Sequence, residues 1–150
     1  MLEEKIQQDL KAALLSGNKT EAEILRGLRA SLLSVKIDQG KRDSGLNDDE
    51  VIAVLGKEAK KRQESADLYV QGGNQERADA ELAEKTLIEK YLPAQISEEE
   101  ITKLVDEAIA ATGAAGPQAM GQVIGAVKSK TGASADGAVI ARLAKERLSQ

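Results

Sequence analysis

The sequence predicts an all-α protein, and two observations support that fold class. Ala, Leu, Glu, Lys, Gln and Arg are abundant along the 150 residues, and all six are strong helix formers. Apolar residues recur at spacings of three and four, whereas the apolar–polar alternation that marks a β-strand is absent. We therefore expect an N-terminal four-helix domain over residues 1–93, followed by a small C-terminal three-helix domain over residues 94–150.

The first predicted helix runs from about residue 2 to residue 15. Four apolar residues recur at every fourth position and form one stripe on it: Leu2, Ile6, Leu10 and Leu14. Gly17 follows and ends the helix, since glycine is common just past a helix C-terminus.

The second predicted helix extends to about residue 39. Thr20 and Glu23 have the spacing of a capping box, so Thr20 is the expected N-cap. Gly40 stops the helix. The residues expected to face the core are Ile24, Leu25, Leu28, Leu32 and Val35.

The third and fourth helices carry their own boundary signals. Asn47 and Glu50 repeat the capping pattern at the start of the third helix, which is expected to end near residue 71 before two glycines. Asn74 is the expected cap of the fourth helix, and Pro93 ends it, because the residue before a proline disfavours the α conformation. The side chains expected to point inward from the fourth helix are Ala78, Leu82, Ile88 and Tyr91.

Three shorter helices are predicted after Pro93. Ser97 and Glu100 form a further capping pattern, which starts a helix over about residues 98–111. Pro117 suits the first turn of the next, which reaches about residue 130. Asp136 or Ser134 caps the last, over about residues 137–148.

The composition excludes several classes of chemistry. The chain has no His, Cys, Trp or Phe, so a zinc finger, a cysteine nucleophile and a Ser-His-Asp triad are all excluded. No self-sufficient catalytic site is visible in what remains, and we expect neither a metal nor a cofactor. No stretch approaches the roughly 18 apolar residues of a membrane span, and the charged N-terminus is unlike a signal peptide. The expectation is a cytoplasmic protein without a membrane partner.

The formal charge of −4 conceals a basic region and an acidic one. Residues 19–62 hold ten Lys or Arg against eight Asp or Glu, whereas residues 76–107 hold four against ten. Clustered cations could follow the phosphates of a nucleic acid. The candidates are Arg26, Arg29 and Lys36 beside the apolar stripe of the second helix, Lys57, Lys60 and Lys61 on the third, and Lys128 and Lys130 on the sixth. The alternative is that their alkyl stems cover the rim of the core while the charges stay in water.

Four other residues stand out from the helical pattern. Arg62 falls within the apolar sector of the third helix, so we expect a structural clamp that bonds a carboxylate or helix-end carbonyls, with a ligand contact as the alternative. Gly121 and Gly125 predict close packing against another helix, or alternatively against a nucleic-acid backbone, because glycine is unfavourable within a helix. Leu68 projects on the charged side of the third helix and is a candidate contact for a protein partner.

An ordered set of short motifs resembles the YqeY family over nearly the whole chain. In order, these are Arg26-x-Leu28, Lys36, Lys57-x-x-Lys60-Lys61-Arg62-x-Glu64-Ser65-x-x-x-Tyr69, Glu84 to Gln95 with Tyr91-Leu92-Pro93-Ala94, Met120-Gly121-x-Val123-x-Gly125, and Ala135-Asp136-Gly137. The chain departs from the family pattern at Ala119, where Asp is common, and at Gln122 and Ser134, where a basic residue is common.

YqeY proteins resemble the C-terminal tail of the GatB subunit of the Asp/Glu-tRNA amidotransferase. The resemblance implies an all-α, two-part protein with a tRNA-related role and aminoacylation or amidotransferase proteins as partners. The family-level label is carbon–nitrogen ligase with glutamine as amido-N-donor. Three interpretations remain open at this point: a tRNA-associated binding module, a helical protein–protein interaction adaptor, and an enzyme acting alone.

Overall fold

The computed structural model of the protein describes residues 1–113 and 115–150, and the all-α prediction is confirmed there. The described residues form seven α-helices and no strand. The helices are α1 (Leu2–Ser16), α2 (Lys19–Asp38), α3 (Asp48–Gln71), α4 (Gln75–Glu89), α5 (Glu98–Thr112), α6 (Met120–Thr131) and α7 (Gly137–Leu148). None of these helices has both the length and the hydropathy needed to cross a bilayer.

Most of the predicted caps are present. Asn47 and Glu50 form a complete capping box, in which each side chain accepts the other residue's backbone N–H at 2.9 Å. Side-chain oxygens of three further residues accept backbone N–H groups at the starts of α4, α5 and α7: Asn74, Ser97 and Asp136. These helix starts were predictable because each cap depends on residues two or three positions apart.

Two predicted helix starts are wrong. Asn18, rather than Thr20, caps α2: its side-chain oxygen accepts the Glu21 N–H at 3.2 Å. The helix begins earlier because the left-handed Gly17 ends α1 immediately before it, and Asn is a strong N-cap residue. Pro117 opens a 3₁₀ turn (Pro117–Ala119) instead of α6 itself, which starts at Met120.

The chain divides into two compact units, Met1–Leu92 and Pro93–Gln150. In the first unit α1 packs on α2, and α3 packs on α4. The turn between α3 and α4 is short, and Arg62 of α3 bonds Glu84 of α4, so the two helices run antiparallel. The core of this unit contains Ile6, Leu10, Ala13, Ala22, Leu25, Leu28, Leu32, Val51, Leu55, Ala59, Ile88 and Tyr91.

The sequence placed Leu14 in the buried stripe of α1, and this prediction is wrong: 49% of the surface of Leu14 is exposed. A four-residue repeat drifts by about 40° per step on a helix with 100° per residue. Leu14 is therefore rotated by about 80° from Ile6, and Ala13 takes the buried position instead.

The second unit is a three-helix arrangement in which α5, α6 and α7 pack pairwise. Its buried residues are Ile101, Val105, Ala108, Val123, Val127, Ala135, Ile140, Leu143 and Ala144. The Arg147 guanidinium donates two hydrogen bonds to the Asp106 carboxylate, at 2.8 and 2.6 Å, and so ties α7 to α5.

Candidate nucleic-acid interface

Arg26 and Arg29 lie on the exposed side of α2 and have no ion-pair partner within residues 1–113 and 115–150. They are held there by the buried face of α2, whose Leu25, Leu28 and Leu32 fix the rotation of the helix. Their guanidinium groups are therefore available to a ligand.

Lys36 differs from these two arginines, although it lies on the same helix. Its ammonium group pairs with the Glu3 carboxylate of α1. The row of three cations predicted on α2 is thus two available arginines and one neutralised lysine. This pairing was not predictable from the sequence, because Glu3 and Lys36 meet only when α1 folds back on α2.

The three lysines of α3 also divide into available and paired groups. Lys57 and Lys60 are exposed and make no ion pair in the described part of the chain. Lys61 lies 3.3 Å from the Glu58 carboxylate. A cavity of about 470 Å³ lies between α2 and α3, and its lining includes Ser31, Ser34, Val35, Asp38, Gln39, Glu50, Ala53, Val54, Lys57, Glu58 and Lys61.

The carboxylates in this cavity make it unsuited to a phosphate. A hydrogen bond from Lys41 and one from the Asn47 backbone lower the pKa of Glu50. Burial opposes ionisation of Glu58, but hydrogen bonds from Arg62 and Lys61 outweigh that effect and leave its pKa lowered. Both acids are therefore ionised at neutral pH. The cations available to an anion are therefore the exposed ones that these carboxylates do not pair, which include Lys57 of the cavity lining.

Arg62 lies where the sequence placed it, at the buried side of α3, with carboxylates on two helices as partners. Nη1 donates to Glu58 Oε2 at 2.5 Å, and Nε donates to Glu84 Oε2 at 3.2 Å. Burial alone would lower the pKa of this guanidinium, but the hydrogen bonds to Glu58 and Glu84 outweigh it, so the pKa is raised. The group links α3 to α4, and its charge is already satisfied.

In the second unit the two candidate lysines have different surroundings. Lys130 lies 3.7 Å from Glu107, and both side chains are largely exposed. Lys128 has no ion pair among the described residues, and its Nζ lies beside Gly137 at the start of α7. Lys128 is therefore the available cation of the pair.

The close-packing role predicted for Gly121 and Gly125 against another helix is wrong in this structure. A Cβ added to either would meet no atom of the described residues within 4 Å. Val123 and Val127 occupy the buried face of α6, and the two glycines lie on the opposite, exposed face. The alternative, an approach by a nucleic-acid backbone, stays a prediction.

Both tyrosines are engaged within the protein. Tyr91 is buried, and its hydroxyl donates to Asp9 Oδ2 at 2.5 Å, while burial raises its pKa. The Arg77 guanidinium lies 5.8 Å from the centroid of the Tyr69 ring. Tyr91 is therefore withdrawn from solvent, and the partly exposed Tyr69 already holds a cation over its ring, so the charged side chains are the groups most open to a nucleic acid.

One feature was not identified from the sequence, namely the exposed apolar pair Leu33 and Ile37 on α2. These side chains are 45% and 56% exposed. The spacing of these two apolar residues, four positions apart and outside the buried stripe, is the sequence pattern that could have identified the pair. Leu68, the predicted contact on α3, is also exposed. Within the described ranges, no cluster of three or more acidic residues has the geometry to hold a metal ion.

Comparison with known proteins assigns the chain to a family. The family described as Yqey-like protein matches residues 3–148. A comparison with curated proteins finds no match. The matched region includes α2 to α7 in full, α1 from Glu3 onward and all the cations described above, and the chain therefore belongs to the YqeY family.

Proposed function

We propose that the protein is a tRNA-associated binding module that contacts phosphates through Arg26, Arg29, Lys57 and Lys60. The observation that carries this proposal is the difference between its arginines. Arg62 is bonded to carboxylates, whereas Arg26 and Arg29 are exposed without a partner in the part of the chain described.

The arrangement fits a backbone contact better than a base contact. Guanidinium groups match phosphate oxygens in geometry and charge, and phosphate contacts supply most of the sequence-independent affinity for nucleic acids. Arg26 and Arg29 are about 4.5 Å apart along the axis of α2, so they can engage neighbouring oxygens of one strand. With both tyrosines engaged, shape and charge are the properties that the protein can recognise.

The YqeY family membership supports a role beside an amidotransferase or aminoacylation protein in the cytoplasm. We infer that such a partner performs any amide transfer, and that this chain contributes binding. Several of its carboxylates are engaged in ion pairs, such as Glu58 with Arg62 and Asp106 with Arg147. No His or Cys is present to act as base or nucleophile.

The test is a titration of unfractionated tRNA, measured by fluorescence anisotropy at several salt concentrations. Two to four phosphate contacts predict that log K falls linearly with log salt, with a slope of about −2 to −4. The double variant R26E/R29E should abolish binding. Its matched control is K103E/K145E, which makes the same charge change at two exposed lysines of the second unit.

Two results would contradict the proposal. One is no binding at about 50 mM salt, where electrostatic contacts are strong. The other is an equal loss of affinity in R26E/R29E and K103E/K145E, because that would show a response to net charge instead of a defined surface.

A further inference from the structure

Five residues of α2 form an exposed face that no other part of the first unit covers. We call this face the α2 outer strip: Arg26, Arg29, Ala30, Leu33 and Ile37. At 100° per residue these positions fall within an arc of about 100°, beside the buried Leu32. From Arg26 to Ile37 the strip is about 16 Å long.

The C-terminal half of the strip, Leu33 and Ile37, is apolar but lies outside the buried core of the first unit. Leu25, Leu28 and Leu32 are at most 1% exposed and complete the buried side of α2. Leu33 and Ile37 lie outside that core, one turn apart, and leave 45% and 56% of their surface exposed to solvent. A single exposed leucine needs no explanation, but an aligned pair next to unpaired arginines forms a chemically defined surface.

The N-terminal half of the strip carries the two positive charges of Arg26 and Arg29. Neither Arg26 nor Arg29 pairs with a carboxylate of the described residues, although Lys36, one turn away from Leu33, does. A ligand that fits the whole strip must therefore bring both apolar side chains and negative charge. The midpoints of the two halves are about 11 Å apart, which is seven to eight residues on a second helix.

We propose that the α2 outer strip is a docking surface for an amphipathic helix of another protein with acidic residues beside its apolar face. The apolar side chains of that helix pack on Leu33 and Ile37, and its carboxylates, seven to eight residues away on the same face, pair with Arg26 and Arg29. A phosphate backbone would use the arginines and leave Leu33 and Ile37 uncovered, so the helix accounts for more of the surface.

This proposal is independent of tRNA binding, but it shares two arginines with it. A helix docked on the strip covers Arg26 and Arg29, so it competes with tRNA for these contacts. Partner binding would then regulate how strongly the protein holds tRNA.

The probe is a fluorescein-labelled synthetic peptide of about 20 residues with Leu at positions i and i+4, Glu at positions i+8 and i+11 on the same face, and Ala and Gln elsewhere. A scrambled peptide of the same composition is its control. Binding to the full chain is measured by anisotropy, and circular dichroism checks that each variant is folded.

The L33S/I37S variant should weaken peptide binding at least tenfold, since residues at the centre of an interface carry most of the affinity. The same variant should bind tRNA as the wild type does, because it retains both arginines. R26E/R29E should weaken both ligands. L14S removes a leucine of α1 whose exposure, 49%, lies between those of Leu33 and Ile37, and it should change neither.

The proposal is overturned if the wild type binds the designed and scrambled peptides equally or not at all, or if L33S/I37S retains full peptide affinity. Loss of tRNA binding in L33S/I37S would assign the strip to RNA instead. Preferential, Leu33-dependent binding to vesicles of phosphatidylcholine and phosphatidylserine would assign it to a lipid surface. Failure of the wild type to bind tRNA refutes only the proposed function, because peptide binding is measured separately.

Discussion

Replacing Arg62 by Met should destabilise the first unit through the carboxylate it leaves behind. The side chains of Arg62 and Glu58 are 21% and 11% exposed, and their atoms lie 2.5 Å apart. Removal of one partner from a fully buried ion pair destabilises a protein by about 3 to 5 kcal/mol. Partial exposure and the remaining contact with Lys61 reduce this, so we expect a loss of about 2 kcal/mol for R62M.

The pH dependence of R62M gives the expected loss a signature. In the wild type the pKa of Glu58 is lowered, so its contribution to stability is present above its unfolded pKa and is lost as the pH falls through the folded value. Without Arg62, burial becomes the main effect on Glu58 and raises its pKa, so the folded variant takes up a proton more readily. The difference in stability between R62M and wild type should therefore shrink as the pH falls from about 7 to about 4.

Urea unfolding followed by circular dichroism measures this prediction. K61M is the matched control, because Lys61 contacts the same carboxylate from a side chain that is 67% exposed, and it should lose less than about 0.5 kcal/mol. The double variant R62M/E58Q should recover much of the loss by removing the stranded charge. An R62M protein as stable as wild type, or a loss that E58Q does not relieve, would refute the reasoning.

Four further predictions concern the helices and the two units. G125A should stabilise the second unit by about 0.5 to 1 kcal/mol, since a Cβ there meets open space and Ala is the better helix former. A lower midpoint temperature of thermal unfolding for G125A than for the wild type would contradict this. If Gly121 and Gly125 admit a nucleic-acid backbone, the same variant should also weaken tRNA binding in the salt titration. N47A removes a complete capping box and should lose about 1 kcal/mol in urea, and an unchanged midpoint would show that the box is not needed. We propose that the units fold independently, so fragments 1–92 and 93–150 expressed alone should each be helical and unfold cooperatively, whereas a disordered fragment would show that it needs the other.

Helix positions were predictable because their signals are local. The bonds of Asn47, Asn74, Ser97 and Asp136 to N–H groups two or three residues later depend on neighbouring residues alone. The buried faces of the helices followed from apolar periodicity in the same way, except that Ala13 and not Leu14 is buried on α1. The error at Asn18 arose where two good capping residues lie two positions apart and only the end of α1 decides between them.

The candidate site was only partly predictable. Arg26 and Arg29 are exposed beside the apolar stripe, as the helical pattern indicated. Nothing local distinguishes them from Lys36, whose partner Glu3 lies on another helix. The open surface at Gly125 was likewise hidden, because helical propensity indicates that a glycine is unusual without showing what lies beside it.

The sequence by itself determined which segments become helices, where most of them begin, and which chemistry is excluded by the absence of His and Cys. These properties depend on residue type and on neighbours within about one helical turn. The tertiary structure alone decided which charges are neutralised and which apolar side chains remain exposed. Arg62 meets Glu84, and Leu33 and Ile37 stay uncovered, because packing brings together residues far apart in the chain and leaves one face of α2 without a partner.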